Sequence, residues 1–230
     1  MSQGHKRNFL NFIKKLLRSF DVRFNFYRSL HSASKVLDLG CEHGWGSIEL
    51  KNMYPEIEVH GIDILPESEI PGFICYTVTD LDEGLLPYPD SHFDAVIFSH
   101  VIEHLRAPMQ LGKEIHRVMK SGAQIYVEAP NWTTILVPSC GFHREQLNPF
   151  NFFDDPTHLQ PWTKQGLFSF LSQGCHLQVR KVGSVRNWLR IPLDLIRIIV
   201  GLIAGNRSKI SNAFRNVYGW SIYGVGIKVS

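Results

Sequence analysis

The sequence predicts one α/β domain built on a mainly parallel sheet with helices on both faces. Three observations carry this prediction. Short apolar runs that end on acidic residues recur along the first half of the chain, a glycine turn follows the first run, and helix-like segments lie between the runs. Strands that are buried on both faces read as continuous apolar runs. At 230 residues, of which 44% are hydrophobic, the chain is long enough for one such domain with additions.

The first strand and its turn are the most informative segment. Residues 36–46 read VLDLGCEHGWG, so an apolar strand runs into Asp38, and Gly40 and Gly44 then frame a tight turn before a helix. Glycine lets a ligand approach the backbone closely, and a strand–turn–helix of this kind presents N–H groups to a polar cofactor. The dinucleotide fingerprint Gly-x-Gly-x-x-Gly does not fit, because Glu42 stands where its second glycine belongs. An ordinary strand–helix turn of an α/β core is the alternative.

Four more strands follow in order. Glu58–Asp63 is a second strand that ends on an acid 25 positions after Asp38, and a carboxylate there can accept both ribose hydroxyls of a nucleoside. A third strand closes on Asp80, and the apolar run at 95–98 predicts a buried fourth strand. Residues 118–130 predict a helix end, a glycine turn and a fifth strand.

In their order and spacing, these blocks resemble the successive motifs of the class I S-adenosylmethionine-dependent methyltransferases. The resemblance covers roughly residues 33–183 and, more weakly, the final strand. It implies a Rossmann-like fold whose mainly parallel seven-stranded sheet has an antiparallel last strand. It also implies methyltransferase activity with S-adenosyl-L-methionine as the cofactor. Many members have glycine where this chain has Glu42, so a side chain here narrows the turn and adds a charge.

The resemblance also assigns the cofactor site. It implies that Asp38 and the glycine turn hold the methionine part of the cofactor, that Asp63 binds the ribose, and that Asp80 binds the adenine amine. Leu81 then lies beside the adenine, and Ser99 ends the fourth strand under the sulfonium. The full implied set is Asp38, Gly40, Cys41, Gly44, Asp63, Ile64, Asp80, Leu81 and Ser99.

Composition and charge limit the classes of molecule that the protein is expected to bind. A net charge of +3 is too small to indicate nucleic-acid binding, and no Lys/Arg-rich block has interleaved aromatic residues. The four cysteines are scattered without a Cys-x-x-Cys pair, which is typical of reduced thiols in the cytosol. A metal site at Asp154, Asp155 and His158 is not expected, because their spacing is not diagnostic. The sequence therefore predicts a cytoplasmic protein with no nucleic-acid partner and no metal.

Residues 1–30 are predicted to form a basic amphipathic helix ahead of a methyltransferase domain over residues 31–230. At helical spacing the apolar stripe of this helix consists of Phe9, Phe12, Ile13, Leu16, Leu17 and Phe20. Most of its lysines and arginines lie off that stripe. We interpret the segment as a lid or packing helix rather than a signal peptide, and a membrane-surface helix is the alternative.

A second amphipathic segment, Trp188–Ala204, lies in an insertion at about 186–216 between the last two predicted strands, His176–Val182 and Ser221–Val229. Its longest apolar run, Ile198–Ala204, is far too short to span a bilayer. Its narrow polar stripe consists of Arg190, Asp194, Arg197 and Gly201. The apolar surface must be buried, and three options stay open: it covers the substrate cleft, pairs with another subunit in a homodimer, or lies on the inner face of a membrane.

The segment after the fifth strand is predicted to form the acceptor side. A loop of about 30 residues is uncommon in a compact domain unless it is functional, and this one is rich in polar and aromatic groups. Residues 155–158, DPTH, followed by PWT at 161–163, are similar to a string in methyltransferases of bacterial glycan and cell-surface polysaccharide pathways. Thr163 can cap the next helix and Gly174 can end it. The apolar face of that helix consists of Leu167, Phe170 and Leu171.

Several side chains are candidates for acceptor chemistry. His158 is the first candidate for a general base that removes a hydroxyl proton, and a structural histidine bonded to the loop backbone is the alternative. His100 is the rival base because it follows the fourth strand, whereas Glu103 and His104 are expected to brace the turn after it. Candidates for binding a polar acceptor are His143, Arg144 and Trp162.

The sequence therefore predicts an S-adenosylmethionine-dependent methyltransferase that O-methylates a small-molecule or glycan-like acceptor. The alternative enzyme is a lipid or quinone methyltransferase at the membrane surface, which the two amphipathic segments motivate. A non-catalytic S-adenosylmethionine-binding protein is the alternative from another class, and Glu42 motivates it.

Overall fold

The computed structural model describes residues 20–137, 139 and 150–229. The predicted apolar stripe of the N-terminal helix, apart from Phe20, lies outside these ranges, as do the candidate acceptor-binding residues His143 and Arg144. The expectations for those residues remain predictions.

Seven strands form one sheet, as predicted. They are β1 Lys35–Leu39, β2 Glu58–Asp63, β3 Ile74–Val78, β4 Phe93–Ser99, β5 Met119–Pro130, β6 Gln178–Ser184 and β7 Ser221–Ile227. Their order is β3-β2-β1-β4-β5-β7-β6. Strands β1 to β5 pair in parallel, and β7 runs antiparallel to both of its neighbours. Strands β2 and β3 are added on one side of β1, and β4 and β5 are added on the other side. The carboxyl ends of β1 and β4 therefore flank the crevice in which open α/β sheets bind ligands.

The α-helices within the described ranges are α1 Val22–Arg28, α2 Trp45–Met53, α3 Pro108–Val118, α4 Lys164–Ser169, α5 Ile191–Ile203 and α6 Arg207–Tyr218. Helix α4 continues as a π-helical turn that ends at Gly174, as predicted. The predicted cap of α4 is also confirmed, because Thr163 Oγ1 accepts a 2.9 Å hydrogen bond from the backbone N–H of Gly166.

The core forms one layer on each face of the sheet. Because side chains alternate along a strand, Leu37 and Leu39 of β1 point to one face and Val36 points to the other. Helices α3 and α4 cover the first face with Leu111, Ile115, Leu167, Phe170 and Leu171. Helices α1 and α2 cover the second face with Phe26, Tyr27 and Leu50. The predicted apolar face of α4 is therefore confirmed.

Three strands differ from their predicted bounds, and of these β7 ends at Ile227 rather than at Val229. Strand β3 ends at Val78, because Asp80 is the N-cap of a 3₁₀ turn over Leu81–Glu83 rather than the last strand residue. Strand β6 begins at Gln178 rather than at His176, because His176 has a φ of 50°, which is incompatible with a strand.

The glycine turn predicted before β5 is instead a bulge inside that strand. Strand β5 begins at Met119, directly after α3. Phe93 of β4 pairs with Met119, but Ala95 pairs with Gln124, so extra residues of β5 lie between these two pairs. Gly122 occupies the bulge with a φ of +81°.

The insertion between β6 and β7 contains α5 and α6, and α5 turns Asp194 and Gly201 of its polar stripe inward, whereas the Arg197 side chain is 51% exposed. Asp194 is buried and accepts hydrogen bonds from Arg197 Nη1 at 2.9 Å and from Asn216 Nδ2 of α6 at 2.8 Å. A Cβ on Gly201 would come within 2.6 Å of the Ile210 side chain, so the two helices touch there. The exposed apolar side chains, each 47 to 83% accessible, are Leu193, Leu195, Ile196, Ile199, Val200, Leu202 and Ile203.

No helix in the described part of the chain combines the length and the apolar character needed to cross a bilayer.

Candidate active site

Asp38 lies near the carboxyl end of β1, beside the crevice. Its side chain is buried and accepts a 2.6 Å hydrogen bond from Ser47 Oγ in α2. Burial raises the pKa of Asp38 to about 6, although the Ser47 hydroxyl and the Arg23 guanidinium act in the opposite direction. A cationic ligand group at this carboxylate would favour its ionised form, so Asp38 is suited to bind an ammonium.

The turn after β1 needs both of its predicted glycines. Gly40 and Gly44 have φ values of +67° and +74°, a region that side chains strain. A Cβ on Gly40 would come within 2.2 Å of Val101, and one on Gly44 would come within 2.8 Å of Ile74. Glu42 also has a positive φ, of 48°, but its side chain is exposed. Glu42 therefore places its charge at the surface of the turn and not in its buried interior.

The N–H groups of this turn bond mainly to the protein itself, contrary to the expectation that they face a ligand. Ile62 O accepts from Gly40 N at 2.8 Å and from Cys41 N at 3.1 Å, and Cys41 O accepts from Gly44 N at 2.8 Å. The Cys41 thiol is buried near Gly61, and burial raises its pKa to about 12. Cys41 therefore offers a ligand only its backbone, and the turn contributes shape rather than these donors.

Asp63, at the end of β2, is held in place by three backbone N–H groups. Its Oδ1 accepts from Ile64 at 2.8 Å and from Leu65 at 3.3 Å, and its Oδ2 accepts from Glu42 at 2.8 Å. The bond to Glu42 ties the turn after β1 to the end of β2. Oδ1 therefore has both of its lone pairs engaged, and Oδ2 keeps one for a ligand. Ile64 is 71% exposed beside this carboxylate.

Asp80 follows β3 at the same edge of the sheet. Its exposed carboxylate accepts a 2.9 Å hydrogen bond from the N–H of Asp82, and Leu81 is buried beside it. Acidic side chains at β1, at β2 and beyond β3 thus follow one another along one edge of the sheet.

A second polar group of residues lies at the ends of β4 and β5, and we call it the His100 cluster: Arg23, Ser99, His100, Glu103 and Glu128. His100 Nε2 lies 3.1 Å from Glu128 Oε1, and its Nδ1 lies 3.3 Å from Glu103 Oε1. Arg23 Nη2 donates to Glu128 Oε2 at 2.8 Å and to Ser99 Oγ at 2.7 Å. Both carboxylates are buried. The cluster therefore connects α1 to the ends of β4 and β5.

The pKa values of His100 and Glu128 are shifted in opposite directions within the His100 cluster. Burial by itself lowers the pKa of His100, but the hydrogen bonds to Glu103 and Glu128 outweigh it and raise the pKa to about 9. Burial raises the pKa of Glu128, but Arg23 and His100 hold it well below its usual range. At neutral pH, His100 is therefore an imidazolium beside a carboxylate.

His158 lies on the other side of Glu103. Its Nδ1 is 2.6 Å from the carbonyl of Phe152, so Nδ1 donates and Nε2 carries the lone pair. Nε2 is 4.0 Å from Glu103 Oε1 and 3.9 Å from Asp155 Oδ2. Burial lowers the pKa of His158, although the bond to Phe152 acts in the opposite direction. The two candidate bases therefore lie on either side of one buried carboxylate and differ in protonation at neutral pH.

Glu103 and His104 contact the segment after β5 instead of bracing only the turn after β4. The carbonyl of Glu103 accepts a 2.9 Å hydrogen bond from Leu159 N, and His104 Nδ1 lies 3.2 Å from the carbonyl of Thr157. These contacts attach the long segment after β5 to the end of β4.

The metal set considered from the sequence does not assemble. The carboxylate of Asp154 accepts hydrogen bonds from the N–H groups of Phe150 and Asn151, both at 3.0 Å, and so serves the local backbone. In this region the side chains with ligand-type atoms within 4.8 Å of one another are instead Glu103, His104 and His158.

Sequence reasoning missed Arg23 and Glu128, and its assignment of Trp162 to the acceptor side stays a prediction. Glu128 had a signal, because a charge inside the apolar run of β5 must find partners when it is buried. Arg23 had none, because its partners lie 76 and 105 positions away. The Trp162 ring is partly buried and packs against Phe170 at the edge of the core, with ring centroids 6.1 Å apart.

A cleft of about 200 Å³ opens beside the His100 cluster, and we call it the arginine cleft. Its lining includes Asp21, Arg186, Arg190, Arg215, Trp220 and Ser221. Ser221 Oγ lies 3.5 Å from His100 Nε2. The cleft therefore adjoins the ends of β4 and β5, on the far side of β4 from the turn after β1.

This fold, with its acids and glycine turn at the sheet crevice, is the one that the resemblance to S-adenosylmethionine-dependent methyltransferases implies. Residues 37–127 match the model of a family described as a methyltransferase domain. This match confirms the predicted resemblance to the class I S-adenosylmethionine-dependent methyltransferases.

Two curated relatives differ in how much of them the chain covers. Ajmaline N-methyltransferase from Rauvolfia serpentina is 27% identical over 204 residues, which are 81% of this chain and 65% of that protein. Demethylmenaquinone methyltransferase from Deinococcus radiodurans is 31% identical over 103 residues, 41% of this chain and 42% of that protein. The chain therefore spans less than two thirds of the length of these relatives.

Solved structures confirm the fold. An S-adenosylmethionine-dependent methyltransferase from Archaeoglobus fulgidus superposes with a TM-score of 0.57 at 23% identity, over 93% of this chain and 94% of that one. A Haloferax volcanii putative methyltransferase, solved in complex with the Trm112 activator, gives a TM-score of 0.63 at 16% identity, over 94% and 89% of the two chains.

The residues present fit S-adenosyl-L-methionine, the cofactor of this family. Its ammonium, ribose hydroxyls and adenine amine are all hydrogen-bond donors. Asp38, Asp63 and Asp80 are all acceptors at one edge of the sheet, and the buried one, Asp38, is the one assigned to the cation.

Proposed function

We propose that this protein transfers a methyl group from S-adenosyl-L-methionine to a hydroxyl oxygen of a small-molecule or glycan-like acceptor. The observation that carries the proposal is the row of acceptor carboxylates Asp38, Asp63 and Asp80 around the glycine turn. When bound, the cofactor supplies a methyl group on a sulfonium. Asp38 would hold its ammonium, Asp63 its ribose and Asp80 its adenine amine.

The acceptor proton is assigned to His158. Methyl transfer is an in-line displacement in which positioning is the main requirement, but a hydroxyl acceptor must also lose its proton. His158 is neutral at pH 7 and keeps a lone pair on Nε2, whereas His100 is protonated. We therefore propose His158 as the base and His100 as the positive group that Glu103 and Glu128 hold beside the cleft.

The acceptor side is proposed to extend from the His100 cluster into the arginine cleft. Trp220 lies in this cleft, with its ring centroid 5.8 Å from that of His100. His143, Arg144 and Trp162 remain proposed acceptor-binding residues. A cleft with guanidinium, indole and hydroxyl groups supports a polar acceptor.

Cofactor preference tests this function. S-adenosylhomocysteine is expected to raise the melting temperature of the protein, because a ligand that binds only the folded state stabilises it. NAD is expected to have no effect, because Glu42 replaces a dinucleotide glycine. Thermal-shift titrations of both ligands measure this, with Asp63→Asn as the variant in which the S-adenosylhomocysteine shift should shrink. A shift with NAD alone would contradict the proposal.

A second candidate function is methylation of a lipid or quinone by a cytoplasmic protein on the inner face of a membrane. One specific observation favours it: α5 buries Asp194 and Gly201 of its polar stripe and exposes seven apolar side chains, whereas an ordinary surface helix turns its apolar side chains inward. Trp188, 68% exposed, and Arg190, with a 38% exposed side chain, lie at the start of this face. An exposed tryptophan with arginines beside an apolar face is typical of an interfacial helix.

Vesicle binding tests the second candidate. The full chain is expected to cosediment with vesicles of phosphatidylcholine and phosphatidylglycerol, and Ile199→Asp with Ile203→Asp should abolish this, because both side chains lie on the exposed face. The matched control is Leu85→Asp with Val229→Asp, which adds the same charge at exposed apolar positions elsewhere. If the intact protein stays in the supernatant at low salt, the membrane function is contradicted. Sedimentation velocity then measures whether the protein is a homodimer that buries this face.

A further inference from the structure

We propose that the arginine cleft binds an anionic group of the acceptor, a phosphate or a carboxylate. The inference rests on the proposed methyl transfer and narrows it, because it names the charge of the acceptor. It starts from three guanidinium groups, those of Arg186, Arg190 and Arg215, in the lining of one cleft. Arginine is suited to such anions because its planar fork of donors matches their oxygens.

Arg186 is held at the cleft by contacts that leave donor capacity. Its Nη2 donates to the carbonyl of Tyr218, and its guanidinium lies 5.6 Å from the Trp188 ring centroid. Its Nε is buried and has no hydrogen-bond partner among the described residues. A buried N–H without an acceptor is costly, so the described protein groups leave part of the hydrogen-bonding capacity of this guanidinium unused.

Arg215 and Arg190 add charge to the same cleft. The Arg215 guanidinium stacks 4.4 Å from the Trp220 ring centroid, and burial lowers its pKa to about 10. An anion would compensate this desolvated charge. Arg190 Nε lies 3.9 Å from Asp194, but that carboxylate also accepts hydrogen bonds from Arg197 and Asn216, so it is shared among several donors.

The described lining contains little negative charge to offset the arginines. Its one carboxylate among the described residues is that of Asp21. Asp21 Oδ1 accepts from the N–H groups of Arg23 at 3.0 Å and Phe24 at 3.2 Å, and so caps α1. His100 Nε2 lies 3.5 Å from Ser221 Oγ at the inner end of the cleft, and its charge is balanced within the His100 cluster by Glu103 and Glu128.

The position of the cleft explains what anion binding would do. The cleft ends at Ser221 and Trp220, next to the His100 cluster, whereas the acids proposed for the cofactor lie on the other side of β4. An acceptor held by its anionic group at the arginines would therefore extend its remaining atoms toward Ser99 and His100. Such remote anchoring orients the reacting hydroxyl without taking part in the reaction.

Direct anion binding tests the proposal. The full chain is titrated with inorganic phosphate, with acetate and with uncharged glycerol, and binding is followed by calorimetry. We expect phosphate or acetate to bind and glycerol not to bind; the tighter of the two anions identifies the source of the charge. Arg186→Gln and Arg190→Gln should each weaken anion binding about tenfold or more, because each removes a charge-assisted hydrogen bond.

A matched control is Arg180→Gln, which removes the same charge from an exposed position in β6 and should leave anion binding unchanged. Arg190 provides the variant least prone to misfolding, because its side chain is 38% exposed. Equal anion affinity in the two cleft variants and the control would overturn the anion site. S-adenosylhomocysteine titrations of the same proteins separate the two proposals. If the unmodified protein does not bind S-adenosylhomocysteine, the proposed methyl transfer is contradicted, whereas the result for the anion site still stands.

Discussion

Replacement of His158 by asparagine is expected to lower turnover about 100-fold or more, because a base that removes the hydroxyl proton contributes about this much. The asparagine amide can still donate a hydrogen bond to the carbonyl of Phe152, as the imidazole does. The side chain therefore stays anchored, and affinity for S-adenosylhomocysteine should change little. Steady-state kinetics with an identified acceptor and calorimetry with S-adenosylhomocysteine measure the two effects.

The control is His104→Asn, which alters the neighbouring ring, 4.8 Å from that of His158, without removing the proposed base. This variant should keep most of the turnover. Normal turnover in His158→Asn together with a lower melting temperature would show that His158 has only a structural role.

The pH profile distinguishes His158 from His100. The pKa of His158 is lowered by burial, so its neutral form already dominates at pH 7, and kcat/KM should be flat from about pH 7 to 9 and fall in acid. The pKa of His100 is about 9, so a profile governed by His100 would keep rising up to that pH. A rise of this kind that disappears in His100→Asn would transfer the role of base to His100.

Replacement of Asp63 by alanine is expected to weaken S-adenosylhomocysteine binding by roughly 1.5–3 kcal/mol for each ribose hydrogen bond lost. Two bonds correspond to about 100-fold or more in affinity. The alanine variant also removes the acceptor of Glu42 N, so the turn after β1 is loosened as well. Asp63→Asn keeps one acceptor oxygen and should show a smaller loss, measured by calorimetry.

Asp94→Asn is the matched control for Asp63. Asp94 lies near the amino end of β4, where it accepts a 2.8 Å hydrogen bond from Lys35 N and a 2.7 Å bond from Lys120 Nζ. Its replacement should leave S-adenosylhomocysteine affinity unchanged. A folded Asp63→Ala protein that binds S-adenosylhomocysteine as tightly as the unmodified one would remove Asp63 from the cofactor site.

Features governed by local sequence were predictable. Thr163 caps α4 and Gly40 takes a positive φ because each effect depends on only a few neighbouring residues. The internal use of the N–H groups of Gly40 and Cys41 was not predictable, because their acceptor, Ile62 O, belongs to the neighbouring strand. The role of Arg23 was not predictable for the same reason, because its carboxylate partner lies 105 positions away.

The sequence by itself determined the sheet and the order of the cofactor acids. Apolar runs that end on Asp38 and Asp63 place both carboxylates at one edge, because the carboxyl ends of parallel strands meet there. Only the tertiary structure decided which histidine is charged, because the pKa values of His100 and His158 depend on burial and on distant carboxylates. It also decided that α5 presents its apolar side outward, because α6 supplies the partner that keeps the Asp194 side inside.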